Sequence, residues 1–198
     1  HAREEPPAEK APLTVKNWLN IVSFVVNTIF TYGVGNAGWF GGNTNGELSR
    51  KYQTIITPSS RAFTIWAVIF LFQGLFAAAQ MLPRFRSKPV LLDGASYWYP
   101  AACLAQVGWT FAFAFEQIPL SLAFMVLLLF SLYGLLYSQY YSESDGSLAE
   151  FWVLRFPFAI HAGWITAATA LNSSVVAVSR NAAADAQLAL GIVSLAVL

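Results

Sequence analysis

Charge is what this sequence has least of: Asp, Glu, Lys and Arg make up 11% of its 198 residues, against about a quarter in a soluble globular chain. The formal net charge is +1, and no run of lysine and arginine is long enough to grip phosphates, which excludes a nucleic-acid footprint. Cysteine occurs once, as Cys103 inside an apolar run, so an internal disulfide is excluded and the residue reads as a small packing group. Histidine is nearly as scarce, with His161 alone in the apolar part of the chain. No second histidine or cysteine stands at metal-site spacing, no nucleophile-elbow motif occurs, and no carboxylates pair at membrane depth, so no catalytic constellation and no enzyme is expected. The glycine- and asparagine-rich stretch from Gly33 to Gly46 lacks the lysine-serine/threonine pair of a phosphate-binding loop and the spacing of a dinucleotide fingerprint. An internal repeat with broken helices, the usual mark of a transporter, is missing too.

What the chain does have is apolar surface. Hydrophobic residues reach 57% and aromatic residues 16%, which places it among all-α integral membrane proteins with rings to spare for interfacial belts or ligand walls. Residues 1–16 read as a polar, proline-rich tail that cannot bury a core and looks like a processed end. Membrane helices are expected at 17–34, 59–82, 97–115, 119–141 and 151–178, with a sixth apolar segment beginning at 182–198. The bundle is thus one transmembrane domain, 17–198, of five helices and the start of a sixth. Pro58 and Pro119 fit helix first turns, whereas Pro157 falls inside the fifth segment and should bend it. The Gly33–Gly46 stretch, with Trp39 and Phe40 embedded in it, reads either as a plain surface loop or as a lid folded over a cavity mouth.

The polar residues left inside these spans are the candidates for function. Phe63, Trp66 and Phe70 recur at spacings of three and four and share one face of the second helix, as packing against a neighbour or as the wall of a pocket. Asn20 and Asn27 stand seven apart on one face, as interhelical polar glue or ligand contacts, and Gln73 and Gln80 are again seven apart on one side. His161 has three readings: a hydrogen-bonded neutral imidazole, an axial ligand to a tetrapyrrole metal, or a proton carrier. Counting helices puts the N-terminus and the loops after helices two and four on one side, and the loops after helices one, three and five on the other. Arg61 and Glu116 then share a side and are expected to form an ion pair, while Arg155 is left with Glu143, Asp145 and Glu150. Lysine and arginine lean toward the N-terminal side, which the positive-inside rule places on the side of insertion.

Three blocks, Pro58 with Ala62-Phe63-Thr64-Ile65-Trp66 and Ile69-Phe70, then Gln106 to Phe113, then Trp164 to Asn172, stand in an order that resembles the TspO/translocator family of tryptophan-rich sensory proteins. Trp18-Leu19-Asn20 and Gly46-Glu47-Leu48-Ser49 are similar to segments of its longer members. The resemblance covers about Trp18 to Val178. It implies a five-helix bundle around a pocket for porphyrins, sterol-like molecules and synthetic aromatic ligands, with dimers common. Carried over by position, Phe63, Trp66, Trp109, Trp164, Ala168 and Asn172 resemble pocket residues, and Phe70 extends the same face. The chain departs from the family in its long glycine-asparagine segment and in lacking a tyrosine between Ser173 and Arg180, where a sterol motif would stand. The expected function is non-enzymatic binding of a flat hydrophobic ligand, a tetrapyrrole or sterol-like molecule. The alternative is a structural, pigment-binding subunit of a larger membrane complex such as a photosynthetic supercomplex, with chlorophyll or carotenoid bound and His161 or Gln106 as axial ligand. A bacterial or organellar membrane, thylakoid included, is the expected location, with membrane lipid and a homodimer or larger complex as partners.

Overall fold

The computed structural model describes residues 12–197, so most of the expected tail, with Arg3 and Lys10, lies outside the described residues. Helix α1 spans Val15–Gly35 and starts at a capping box: the Thr14 hydroxyl accepts from the Asn17 amide, and the Asn17 side chain accepts from the Thr14 amide at 2.8 Å. A second capping box, Thr44 with Glu47, opens the short helix α2 (Asn45–Lys51). The reading of this region as loop had passed over that Thr-x-x-Glu signal.

The second span does not begin as an α-helix at 59. A 3₁₀ turn over Ser60–Thr64 leads into α3 (Ile65–Ala79), and Thr57 turns its hydroxyl back on the Thr54 amide at 2.7 Å instead of capping α3. A π-helical turn, Val90–Ala95, precedes α4 (Trp98–Ala114). Pro119 lies in the first turn of α5 (Ile118–Tyr141), where a missing N–H costs nothing. After the single turn α6 (Leu148–Glu150), a π-helical stretch over Phe151–Arg155 absorbs the extra length before α7 (Phe156–Ser179). Pro157 therefore sits in the first turn of α7, directly after the π-helical stretch, within a run that is helical from Leu148 to Ser179. Helix α8, Ala184–Val197, is the expected sixth segment and packs on α7.

The long helices close a ring in the spatial order α1, α4, α5, α7, α3 and back to α1. The tightest seam is α4–α5, where glycine lets rings reach the backbone. A Cβ on Gly108 would lie 2.5 Å from Phe124, and one on Gly134 would lie 2.8 Å from Trp98. Met125, Leu128 and Leu132 of α5 are fully buried beside them. Among the described residues, three helical segments are long and apolar enough to cross a membrane: Val15–Gly35, Arg61–Ala79 and Ile118–Tyr141.

Charged groups gather at the two ends of the ring, sorted as the alternation of loops requires. At one end Lys16 meets Asp93 at 3.5 Å, Lys88 meets Asp145 and, at 3.1 Å, Glu150, and Arg155 reaches Glu150 at 3.5 Å. Burial works against the charge of Glu150, yet Ser144 and Lys88 outweigh it and hold the carboxyl below its ordinary range. At the other end Glu116 is held by Lys51, by the Tyr52 hydroxyl at 2.6 Å and by Asn43 Nδ2 at 3.1 Å. The expected Arg61–Glu116 pair is thus replaced. Lys51, one helix earlier, takes the carboxylate and is the first cause of its lowered pKa, while Arg61 is exposed and joins no ion pair among the described residues.

Candidate functional site

Helices α3 and α7 run antiparallel, and both repeat aromatic residues at helical spacing, so their rings meet along one seam. Phe63 contacts Trp164 edge-on with centroids 6.0 Å apart, and Trp66 contacts Trp164 at 6.3 Å. Trp66 also meets the His161 ring at 5.8 Å and Phe70 at 5.8 Å. Phe63, Trp66, Phe70, Trp164 and Ala168 are all half-buried: this half of the seam is an aromatic face partly open, while further along Phe76 and Phe158 are fully buried.

Beneath that face lies a polar chain that is fully buried. The Tyr99 hydroxyl donates to Gln73 Oε1 at 3.2 Å, and Gln73 Nε2 lies 2.8 Å from His161 Nδ1. The exposures of His161, Gln73 and Tyr99 are 2%, 0% and 1%, so water does not share these bonds. Two buried nitrogens next to the rings, His161 Nε2 and Trp164 Nε1, have no hydrogen-bond partner among the described residues. Gln73 and Tyr99 were not among the expected site residues. The signal is present in Gln73 as an amide in an apolar helix, whereas Tyr99 follows Tyr97 and Trp98 with nothing local to set it apart.

Trp109 and Asn172 are occupied differently. Trp109 Nε1 donates to Asn172 Oδ1 at 2.9 Å, and Asn172 Nδ2 donates to Ser121 Oγ at 3.2 Å. This triad ties α4, α5 and α7 together and satisfies its own polar atoms. Trp66, Trp164 and Ala168 pack on the hydrophobic cluster that contains Trp109, so the two groups are neighbours with separate tasks. Gln106 is buried on the α4 stripe of Tyr99, Cys103 and Thr110, with no partner for either amide atom. Seven residues from Tyr99, it stands ~10 Å further along the helix.

The glycine-rich loop covers a different part of the bundle. Phe40 stacks on Phe111 of α4 at 6.0 Å, and the Asn43 amide donates to the Ala114 carbonyl at 2.9 Å, which seats the loop on the α1–α4 end. On the outer face of α5 runs an open groove of about 1190 Å³, lined by Trp98, Phe130, Tyr133, Tyr137, Tyr141 and Glu143 among others. None of the α3–α7 rings reaches it.

Asn20 and Gln80, each placed on a polar face by its spacing, bridge helices: Asn20 Nδ2 donates to Gln80 Oε1 at 3.2 Å, joining α1 to α3. Asn27 instead accepts from Thr31 of its own helix at 3.0 Å.

No curated protein and no solved structure matches this chain. The family model described as TSPO-like protein matches residues 17–198. That match covers nearly the whole chain, every long helix of the ring and both tryptophan groups, and the chain therefore belongs to the TSPO-like protein family.

Proposed function

We propose that this protein binds a flat hydrophobic ligand, of the tetrapyrrole or sterol-like class, against the aromatic face of the α3–α7 seam, and that it does so without catalysing a reaction. In this reading α1, α3, α4, α5 and α7 all cross the membrane, the polar residues of α4 and α7 turning inward. The observation that carries the reading is the half-buried set Phe63, Trp66, Phe70 and Trp164 beside two buried nitrogens without partners. Rings in edge contact present flat area at low entropic cost, and an unpartnered buried donor is an incentive for an occupant. Titrating protein in lipid nanodiscs with protoporphyrin and following tryptophan fluorescence tests it. Trp66→Leu and Trp164→Leu should each weaken binding about tenfold. Unchanged affinity in both variants would remove the seam as the site.

A second reading, a pigment-binding subunit of a larger assembly in a bacterial or organellar membrane, is favoured by the α5 groove. Phe130, Tyr137 and Tyr141 line it and remain exposed, as a surface awaiting chlorophyll, carotenoid or a neighbouring chain would. Under mild detergent, the first reading expects the protein to migrate alone or as a homodimer and to bind porphyrin. The second expects it to co-migrate with a pigmented complex.

A further inference from the structure

The hydrogen bonds beneath the seam fix which nitrogen of His161 carries the proton, and with it the chemistry of the occupant. Tyr99 has one hydroxyl proton, and Gln73 Oε1, at 3.2 Å, can only accept it. That contact orients the Gln73 amide, so its NH₂ group faces His161 Nδ1 at 2.8 Å. An amide NH₂ can only donate, so Nδ1 must accept. In a neutral imidazole the proton then sits on Nε2, the atom that has no partner. Turning the amide over would leave the Tyr99 proton facing only the Cys103 thiol one turn along α4, a weak acceptor. An imidazolium would set N–H against N–H.

The second unpartnered nitrogen at the seam, Trp164 Nε1, is a donor under all conditions. Trp66 touches both rings, at 5.8 Å and 6.3 Å. Among the described residues, the unpartnered nitrogens of His161 and Trp164 at this aromatic face are thus both donors. Both are uncharged and buried, where an anionic partner would lose its hydration without gaining a countercharge.

We infer that His161 offers an Nε2–H and not a lone pair to the seam, and that this donor favours flat apolar occupants that bring a neutral carbonyl oxygen to it over a metal centre awaiting an axial ligand. This rests on the seam being the ligand site, but the tautomer itself does not. Axial ligation of a tetrapyrrole metal by His161 does not fit the bonds that Gln73 makes.

Nitrogen-15 NMR of histidine-labelled protein in nanodiscs reads the tautomer directly in the wild type: an unprotonated Nδ1 and a protonated Nε2 are expected. The reverse pattern overturns the inference. Binding is then compared with 9-fluorenone and fluorene, which share a ring system and differ by the carbonyl. Wild type should prefer fluorenone about tenfold, as one buried hydrogen bond would supply, and His161→Phe should bring the ratio near one. Equal affinity in wild type overturns the carbonyl preference while leaving ring stacking at the seam intact. If neither compound binds, the seam is not the site and the inference about its occupant falls with it.

Discussion

The α4–α5 interface and the α3–α7 seam are made from the same kinds of residue and do opposite things with them. Along α4–α5, rings lie directly on Gly108 and Gly134, and Leu128 and Leu132 are completely buried. Along the Phe63–Phe70 half of α3–α7, Trp164 meets Phe63 and Trp66 edge-on, these rings stay half-buried, and His161 Nε2 and Trp164 Nε1 have no partner among the described residues, whereas further along Phe76 and Phe158 close on each other fully buried. Inside a membrane, where water gives helices no hydrophobic reason to associate, contact density sets stability. The close seam is where such contact is densest, and the Phe63–Phe70 half of the other leaves ring surface half-exposed.

The sharpest way to break this comparison is to cut a side chain from each seam. Leu132→Ala should cost about 2–5 kcal/mol, because a fully buried leucine leaves a cavity that close packing cannot collapse. Thermal unfolding in detergent would record the loss, while porphyrin affinity of the folded protein should be unchanged. Trp66→Leu should reverse the pattern, costing only ~1 kcal/mol of stability, as for one aromatic contact, and weakening binding instead. Should both variants lose stability alike, the two seams are not functionally distinct.

Between these extremes stands the Trp109–Asn172–Ser121 triad. Asn172→Leu keeps the volume but strands the Trp109 N–H in the core, at about 1–3 kcal/mol. If ligand affinity falls while stability holds, the triad belongs to the binding face, and the boundary drawn here must move toward α4.

The boundaries of these regions were unequally legible in the sequence. The long apolar runs gave α1, α4, α5 and α8 to within a few residues, since in a membrane a helix is the only open-chain structure that satisfies its own backbone. The π-helical turns at Val90–Ala95 and Phe151–Arg155 were not readable, because they follow from how loop length is fitted between packed helices. At the site, the ring stripe of Phe63, Trp66 and Phe70 was visible as periodicity, and His161 as a lone titratable group. The split of the expected pocket into an open seam and a closed triad was not, because it depends on which helices are neighbours in space. The partnership of Gln73 with Tyr99 and His161 likewise joins three helices whose order around the ring no local pattern encodes.

The smallest expected effects lie where the ring meets its loops, and there the sequence identified the right side but the wrong partner. Loop alternation correctly confined Glu116 to the end that carries the α1–α3 connection, and on that connection both Arg61 and Lys51 were available. The choice fell to Lys51 because α2, held by its Thr44–Glu47 capping box, places Lys51 and Tyr52 together against the end of α4. Arg61 lies in the exposed 3₁₀ turn before α3. Arg61→Ala should therefore leave the melting temperature unchanged, and Lys51→Ala should lower it slightly at neutral pH. The pH dependence has a definite sign: the Glu116 carboxyl is held below its ordinary value of 4.5 first by Lys51 and then by Tyr52. Its contribution is full above that value and is lost as pH falls through the lower, folded-state value. Acidification should accordingly erase the difference between Lys51→Ala and wild type. A difference that persists in acid would mean that Lys51 acts through packing on Tyr52, over whose ring its ammonium lies at 5.3 Å, and not through the carboxylate.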